Sequence, residues 1–573
     1  MSGNRALSTD ERFLCGFYMY PTSLVWEDFA EEQSSMGDPM TTADAWQYWI
    51  ERMIEDGFNT FQIGVANNPR GASIPEDPEN PYIEFFFKLS QKYNFNMIPH
   101  LESVYLKKEK DVLDNEGTEA YLKRLNEQIT QGVVERAAEC IREYKDHPDV
   151  LAFVVAEEPF CPEYMHWIMR YYDLIRKETG DVKFDLLFMS TREYMPLYLS
   201  DIHGQIPIIG TELYIFWWEF TGICHLAAPS TRSTGAFGGY VRKLKALGKH
   251  AREFNTHFKV VFTAASQESI IRFPQDIGVK LDKSEKKRIL EYAEAGEHGW
   301  LCPWGGPTQP PLHLRRKLYL KYFRYYHPPH NCTRAMVWLA VMMGAKSIFQ
   351  WALKPTPRMV REIIENDVPE ESYLAWKRET GHNYWRVHIL GLENKGTYML
   401  KEYKDACQYL QKFGWLINRM EYDDGQDQGG WSNSTSPLEI ADSDHFDKIN
   451  IYSKSFSLLG YSGKIVVLVN GKVGTWCNKE PTLCLSPDAE RYRIDKLGYV
   501  YKEDFTPDAE DLPIGVSLEL SNDEGLWDLD SGECLISASG EIESIDVEPG
   551  GGKFLFIGPA DEKTNIRRNC GLE

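Results

Sequence analysis

Five glutamates stand at or just beyond the ends of apolar runs, and that placement gives them chemical potential. Glu157 and Glu158 follow "LAFVVA" and precede Pro159; Glu102 follows "FNMIPHL", two residues after His100. Glu212 sits near the end of "IPIIGTEL", and Glu268 lies a few residues past "FKVVFTAA". A buried strand normally ends in a turn of Gly, Asn or Asp, whereas adjacent acids must be solvated, paired or used chemically. Two carboxylates facing one another across a sugar can hydrolyse a glycosidic bond. One stays protonated and donates to the leaving oxygen, while the other attacks carbon or activates water. An ionised carboxylate raises the pKa of its neighbour, which would suit one member of the 157–158 pair. Alternation along a strand aims the two differently, so one of them would face the scissile bond.

Such acids need a scaffold that brings strand ends together. Eight apolar runs, 13–19, 58–65, 95–101, 150–156, 184–189, 206–213, 258–265 and 346–353, are the candidate strands. Amphipathic helical patterns lie between them, such as "TADAWQYWIERMIEDG", for which Thr42 before Asp44 is the expected cap. The alternation predicts a parallel sheet, and no Gly-rich phosphate loop follows the first strand, so a (β/α)8 TIM barrel is favoured over an open doubly wound sheet. The long connections 214–240 and 266–310 would then sit on the C-terminal face, where barrel active sites are built. They carry Tyr214, Trp217, Trp218, Trp300 and Trp304, whose ring faces suit the face of a pyranose. After the helical stretch 401–420 comes a polar Gly/Ser/Asp linker, "EYDDGQDQGGWSNSTSP", and beyond it short alternating segments. The expected division is a barrel over 1–423 and a C-terminal all-β sandwich over 424–573.

The 573 residues carry 85 acidic and 63 basic side chains, a formal net charge of −22, so nucleic acid and anionic lipid are disfavoured as partners. Eleven scattered cysteines show neither metal-ligand spacing nor a disulfide framework, which points to a reducing compartment and a cytoplasmic location. No signal-peptide run opens the sequence, although a removed leader would leave a secreted protein looking the same. The long apolar stretch "AMVWLAVMMGAKSIFQWAL" contains Lys346 and predicts a helix followed by a buried strand, not a membrane span. Sequons at Asn331 and Asn433 weigh little without evidence of secretion.

The layout and "EEP" together resemble the clan of retaining (β/α)8-barrel glycoside hydrolases that includes β-galactosidases, cellulases and β-mannosidases. The fourth strand of that clan ends in Asn-Glu-Pro with the Glu as acid/base, and a Glu at the end of strand seven is the nucleophile. The resemblance therefore implies Glu158 as acid/base, and Glu268 as nucleophile with Glu212 as its rival. Trp351, in "IFQWALKP", resembles the aromatic residue that floors the clan's sugar site at the end of strand eight. Glu157 stands where the clan has Asn, so sugar recognition there must differ, and the substrate could carry a cation. Glu268 falls late, and use of a more distant Glu212 would imply an inverting mechanism. The expected activity is cleavage of a β-glycosidic bond without a cofactor, with Glu157, His100, Glu102, Tyr214, Trp217, Trp218, Trp304 and Trp351 as substrate contacts. A homo-oligomer is possible by the same resemblance.

Two other readings stay open. His100, Glu102, Glu157, Glu158 and Glu212 could ligate a divalent ion in a sugar-processing enzyme, although no HxH pair is present. A carbohydrate-binding barrel without turnover would also fit the weak strand-seven motif.

Overall fold

The computed structural model describes residues 12–21, 25–65, 73–74, 77–101, 117–128, 131–155, 162–189, 208–213, 238–253, 256–262, 266–267, 331–356, 358, 386–387, 389–390, 394–422, 434–435, 439–440, 451–472, 514, 516–518, 520, 524–536 and 545–573. Contacts divide the chain into two compact units. One comprises Met1–Leu213, Lys243–Phe262 and Met343–Lys354; the other comprises Tyr214–Arg242, Thr263–Met342 and Pro355–Glu573.

The first unit is built on a parallel sheet of seven strands. In chain order they are Leu14–Met19, Thr60–Val65, Asn96–Leu101, Asp185–Met189, Ile208–Leu213, His257–Phe262 and Ser347–Leu353. The last strand pairs with the first, so the sheet curls back on itself. The remaining gap, between Asn96–Leu101 and Asp185–Met189, is filled by the extended segment 149–155. Leu151 and Val154 donate backbone N–H bonds to Met97 and Pro99, and Met97 and Leu101 donate to Asp149 and Val154. On its other side Phe153 donates to Lys183 and accepts from Asp185. Eight members thus close the ring, at the eight places where the sequence predicts strands. The fourth is held by isolated bridges instead of a continuous ladder.

The first, third and seventh strands are buried along their whole length. Burial on both faces is why these segments read as continuous apolar runs without strict alternation. Helix Thr42–Glu55 packs Ala45, Trp46, Trp49, Ile50 and Met53 inward. Its cap is Thr41, one residue before the expected Thr42. The Thr41 hydroxyl accepts from the Asp44 N–H while the Asp44 carboxylate accepts from the Thr41 N–H, a reciprocal box that needs a three-residue separation. Thr42 is buried instead.

The apolar stretch after residue 331 divides as expected into helix Cys332–Met342 and the strand Ser347–Leu353, broken at Gly344, whose φ of +94° is open to glycine. The sequon asparagine Asn331, just before the helix, is itself buried.

In the second unit, the stretch expected as one late helix is two, Tyr398–Lys412 and Gly414–Arg419, separated at Phe413. A six-stranded sheet follows, running Met420–Tyr422, Ile451–Leu458, Lys464–Asn470, Gly552–Gly558, Gly525–Asp528, with Ser434–Thr435 added beside Ile451–Leu458. All of its pairings are antiparallel except that of Ser434–Thr435. Val466, Leu468, Leu555 and Ile557 join an aliphatic cluster with Ile514, Val516, Ile545 and Val547. From the alternating position Phe554 packs against Trp338 and Phe413, with ring centroids 5.4 and 4.9 Å apart. The period-two pattern thus divides the strand Gly552–Gly558 between an aliphatic face and an aromatic one.

Candidate functional site: the C-terminal rim of the barrel

The rim of the barrel is described over its third, second, first and eighth strands. His100 is the fifth residue of the third strand, fully buried, in register with Gly64 on one side and bridged to Val154 on the other. A Cβ on Gly64 would lie 2.5 Å from the ring of Tyr20, so glycine at that position lets the tyrosine lie across the second strand's end. Tyr20 follows the first strand and is fixed by the Trp26 indole, which donates to its carbonyl at 3.0 Å. Its hydroxyl accepts from Trp351 Nε1 at 3.2 Å, and the two rings meet edge to face with centroids 6.5 Å apart. His100, Gly64, Tyr20 and Trp351 therefore belong to one continuous stretch of the rim.

Trp351 owes its place to a bulge. The ladder to the first strand pairs Phe17 with Gln350 and Met19 with Leu353, so the eighth strand carries one extra residue there, a device that re-aims side chains. The Trp351–Ala352 peptide bond is cis. Gln350, buried, donates from Nε2 to the Trp351 carbonyl at 2.8 Å. Half-buried and edged by a tyrosine, the Trp351 ring offers an apolar surface at the mouth of the barrel.

Deeper in the barrel lies a group of polar residues that sequence reasoning missed. Lys259, third in the seventh strand, pairs with Asp185, which opens the strand Asp185–Met189; both are fully buried. The same ammonium reaches Gln62 Oε1 at 3.1 Å and the Tyr18 hydroxyl at 3.3 Å, and stands 5.4 Å from the Phe349 ring centroid. Gly210 makes room for it, because a Cβ there would come within 2.8 Å of the lysine's Cε. Burial pushes the Asp185 carboxyl above its ordinary value, and the adjacent Lys259 opposes that. In sequence, "FKVVF" shows a lysine inside an apolar run, and that interruption was the available signal. Tyr20 was open to the same strand-end search that found Glu102.

Of the expected site residues, His100 and Trp351 are described and lie on the same rim. Glu212 is the penultimate residue of the strand Ile208–Leu213, in register with Met189 and Val261. Glu102, Glu157, Glu158, Tyr214, Trp217, Trp218, Glu268, Trp300 and Trp304 lie outside the described residues. Among the described residues no three His, Cys, Asp or Glu side chains gather as a metal ligand set, and no helix is long and apolar enough to cross a membrane.

No family model matches the chain, and no curated protein matches it. It is similar to solved structures of glycoside hydrolases. A family 5 mannosidase from Rhizomucor miehei aligns over 70% of this chain and 94% of its own, at 14% identity and a TM-score of 0.38. A family 39 glycoside hydrolase from Bacteroides cellulosilyticus WH2 aligns over 96% and 81%, at 11% identity and 0.39. A β-galactosidase from the psychrophilic Marinomonas ef1 aligns over 71% and 62%, at 8% and 0.41. At these scores the likenesses carry no argument; the α/β barrel rests on the ladders and bridges of the chain itself, around a rim that joins His100, Tyr20 and Trp351.

Proposed function

We propose that this chain is a glycoside hydrolase that cleaves a β-glycosidic bond with two carboxylates at the rim of its barrel. The observation that carries the reading is the rim, a half-buried tryptophan set by a bulge and held by Tyr20, continuous with a buried histidine. Every candidate carboxylate follows, or stands near the end of, one of the ring's members in the chain. In this reading Glu158, directly after segment 149–155, protonates the glycosidic oxygen and then deprotonates water. Glu268 attacks the anomeric carbon in a retaining mechanism, and its rival Glu212, if more distant, would instead activate water with inversion. Trp351 stacks on the sugar, His100 and Glu157 hold its hydroxyls, and the loop aromatics Tyr214, Trp217, Trp218 and Trp304 extend the surface. The division at residues 423 and 424, with a sandwich beyond it, belongs to the same reading; the second, short-stranded layer that completes the aliphatic cluster supports it.

The test is hydrolysis of aryl β-glycosides, including an amino sugar and a uronic acid, by wild type and by Glu158→Ala and Glu158→Gln. The expected outcome is turnover of at least one substrate by wild type and a loss of about 10²–10⁴-fold in Glu158→Ala, the size of a general acid–base contribution. Azide should then restore activity to Glu158→Ala on a substrate with a good leaving group. An active wild type matched by Glu158→Ala would reject the assignment.

A further inference from the structure

Nothing in the proposed reaction uses the buried cluster around Lys259. This residue projects from the seventh strand, and its ammonium donates to acceptors on three others: the Tyr18 hydroxyl at 3.3 Å on the first, Gln62 Oε1 at 3.1 Å on the second, and Asp185 Oδ2 on the fifth. An ammonium has three protons to give, and each has its acceptor. The same group stands 5.5 Å from the Tyr18 ring centroid and 5.4 Å from that of Phe349, within reach of a cation–π attraction. Those two rings meet edge to face with centroids 6.3 Å apart.

Residues two apart along a strand share a face, so the cluster lies one step below the rim. Tyr18 precedes Tyr20 by two positions, Gln62 precedes Gly64, and Phe349 precedes Trp351. Tyr18 and Gln62 are in register, as are Gly64 and His100. Tyr18 also stands opposite the extra residue of the eighth strand, because the ladder passes from the Phe17–Gln350 pair directly to Met19–Leu353. The two rings held against the ammonium therefore flank the bulge that aims Trp351.

A buried ion pair is often no more stabilising than a well-packed aliphatic filling, so folding alone does not account for charges at this depth. What the pair adds is direction, since hydrogen bonds to specific acceptors fix a geometry that aliphatic contacts leave looser. We infer that Lys259 is a positioning residue for substrate binding: through Tyr18 and Phe349 it fixes the bulge, and with it the orientation of the Trp351 ring against the sugar. The inference rests on the rim being a sugar site.

Two variants test it, Tyr18→Phe, which removes one acceptor and keeps the ring, and Lys259→Met with Asp185→Leu, which removes the charges together. On an aryl β-glycoside that wild type hydrolyses, each should raise KM about three- to tenfold, the worth of a hydrogen bond, and leave kcat within about twofold. In a Trp351→Ala background the same changes should move KM by less than about twofold, because the ring they position is gone. Fluorine NMR of the 5-fluorotryptophan-labelled chain supplies a readout without turnover. The Trp351 resonance, assigned by its loss in Trp351→Phe, should shift or broaden in both variants. An unmoved resonance, an unchanged KM in an active enzyme, a KM effect that persists in full without Trp351, or a fall in kcat alone would overturn the inference. A moved resonance in a protein that hydrolyses none of the glycosides would uphold the positioning of Trp351 and remove the glycosidase reading alone.

Discussion

The interior of the barrel and the core of the C-terminal sheet solve the burial problem in opposite ways. The sheet's cluster is aliphatic throughout, from Ile451 to Ile557. Inside the barrel, Lys259 and Asp185 form an ion pair at zero exposure, with Gln62 and Tyr18 around the ammonium. Taking both charges out of water costs several kcal/mol per ion, which mutual attraction offsets only when the surrounding bonds are made as well. An aliphatic core meets the loss of a partner with a cavity; a buried ion pair meets it with an uncompensated charge.

The largest expected effect tests that contrast directly. Lys259→Met leaves Asp185 as an uncompensated buried acid and should destabilise the barrel unit by about 3–5 kcal/mol, whereas Lys259→Met with Asp185→Leu should recover most of the loss. Urea unfolding followed by probes for each unit measures it, since two units need not unfold as one. Equal losses in the single and the double variant would erase the comparison.

One buried group in each unit should also respond to pH with opposite sign to the other. His257 is buried in the barrel unit beside Ser347 Oγ at 2.8 Å, and burial first, then Lys346 and Lys259, lower its pKa to about 3. Its neutral form therefore contributes stability that is present above about pH 6.5 and is lost as pH falls toward 3. In the second unit Glu402 accepts N–H bonds from Asn331 and Thr333 at the start of helix Cys332–Met342. Burial raises its pKa to about 7 despite those bonds and Arg334. Its contribution is present below about pH 4.5 and is lost as pH rises through 7, an effect of roughly 3 kcal/mol at about 1.4 kcal/mol per tenfold in proton affinity. Between pH 4.5 and 6.5 the His257 contribution to the barrel transition should grow with pH while the Glu402 contribution to the other falls. Glu402→Gln should flatten the second slope, and a slope that survives it would assign the titration elsewhere.

The smallest effect sharpens the picture at the surface. Glu562, in the first turn of helix Ala560–Asn569, accepts from the backbone N–H groups of Ser462 and Gly463 and from the Ser462 hydroxyl. Those bonds hold its pKa down against some burial. Glu562→Ala should cost about 1 kcal/mol in the second unit and nothing in the barrel. A loss in both would mean that the units do not unfold separately.

The ring was legible because a strand buried on both faces must be apolar along its length, and eight such runs alternating with helical patterns leave few architectures. Segment 149–155 was as legible as the rest, although bridges alone hold it. The helix boundary at Gly344 was also readable, since the apolar run meets a residue open to positive φ. The short strand Ser434–Thr435 and the long strand Ile451–Leu458 were not anticipated. The first is only two residues long, and the second carries serines and a lysine that lie buried in the structure.

The sequence by itself determined the order of strands, the presence of acids after them, and the choice of His100 and Trp351 as rim candidates. Only the tertiary structure decided that Tyr20 and Trp351, 331 positions apart, share a hydrogen bond, and that Lys259 reaches Asp185, Gln62 and Tyr18 from three other strands. Local patterns fix which face of an element is buried. The partner across a closed ring depends on register, on a bulge at Trp351 and on glycines at 64 and 210 that clear the space, and these exist only once the ring has closed.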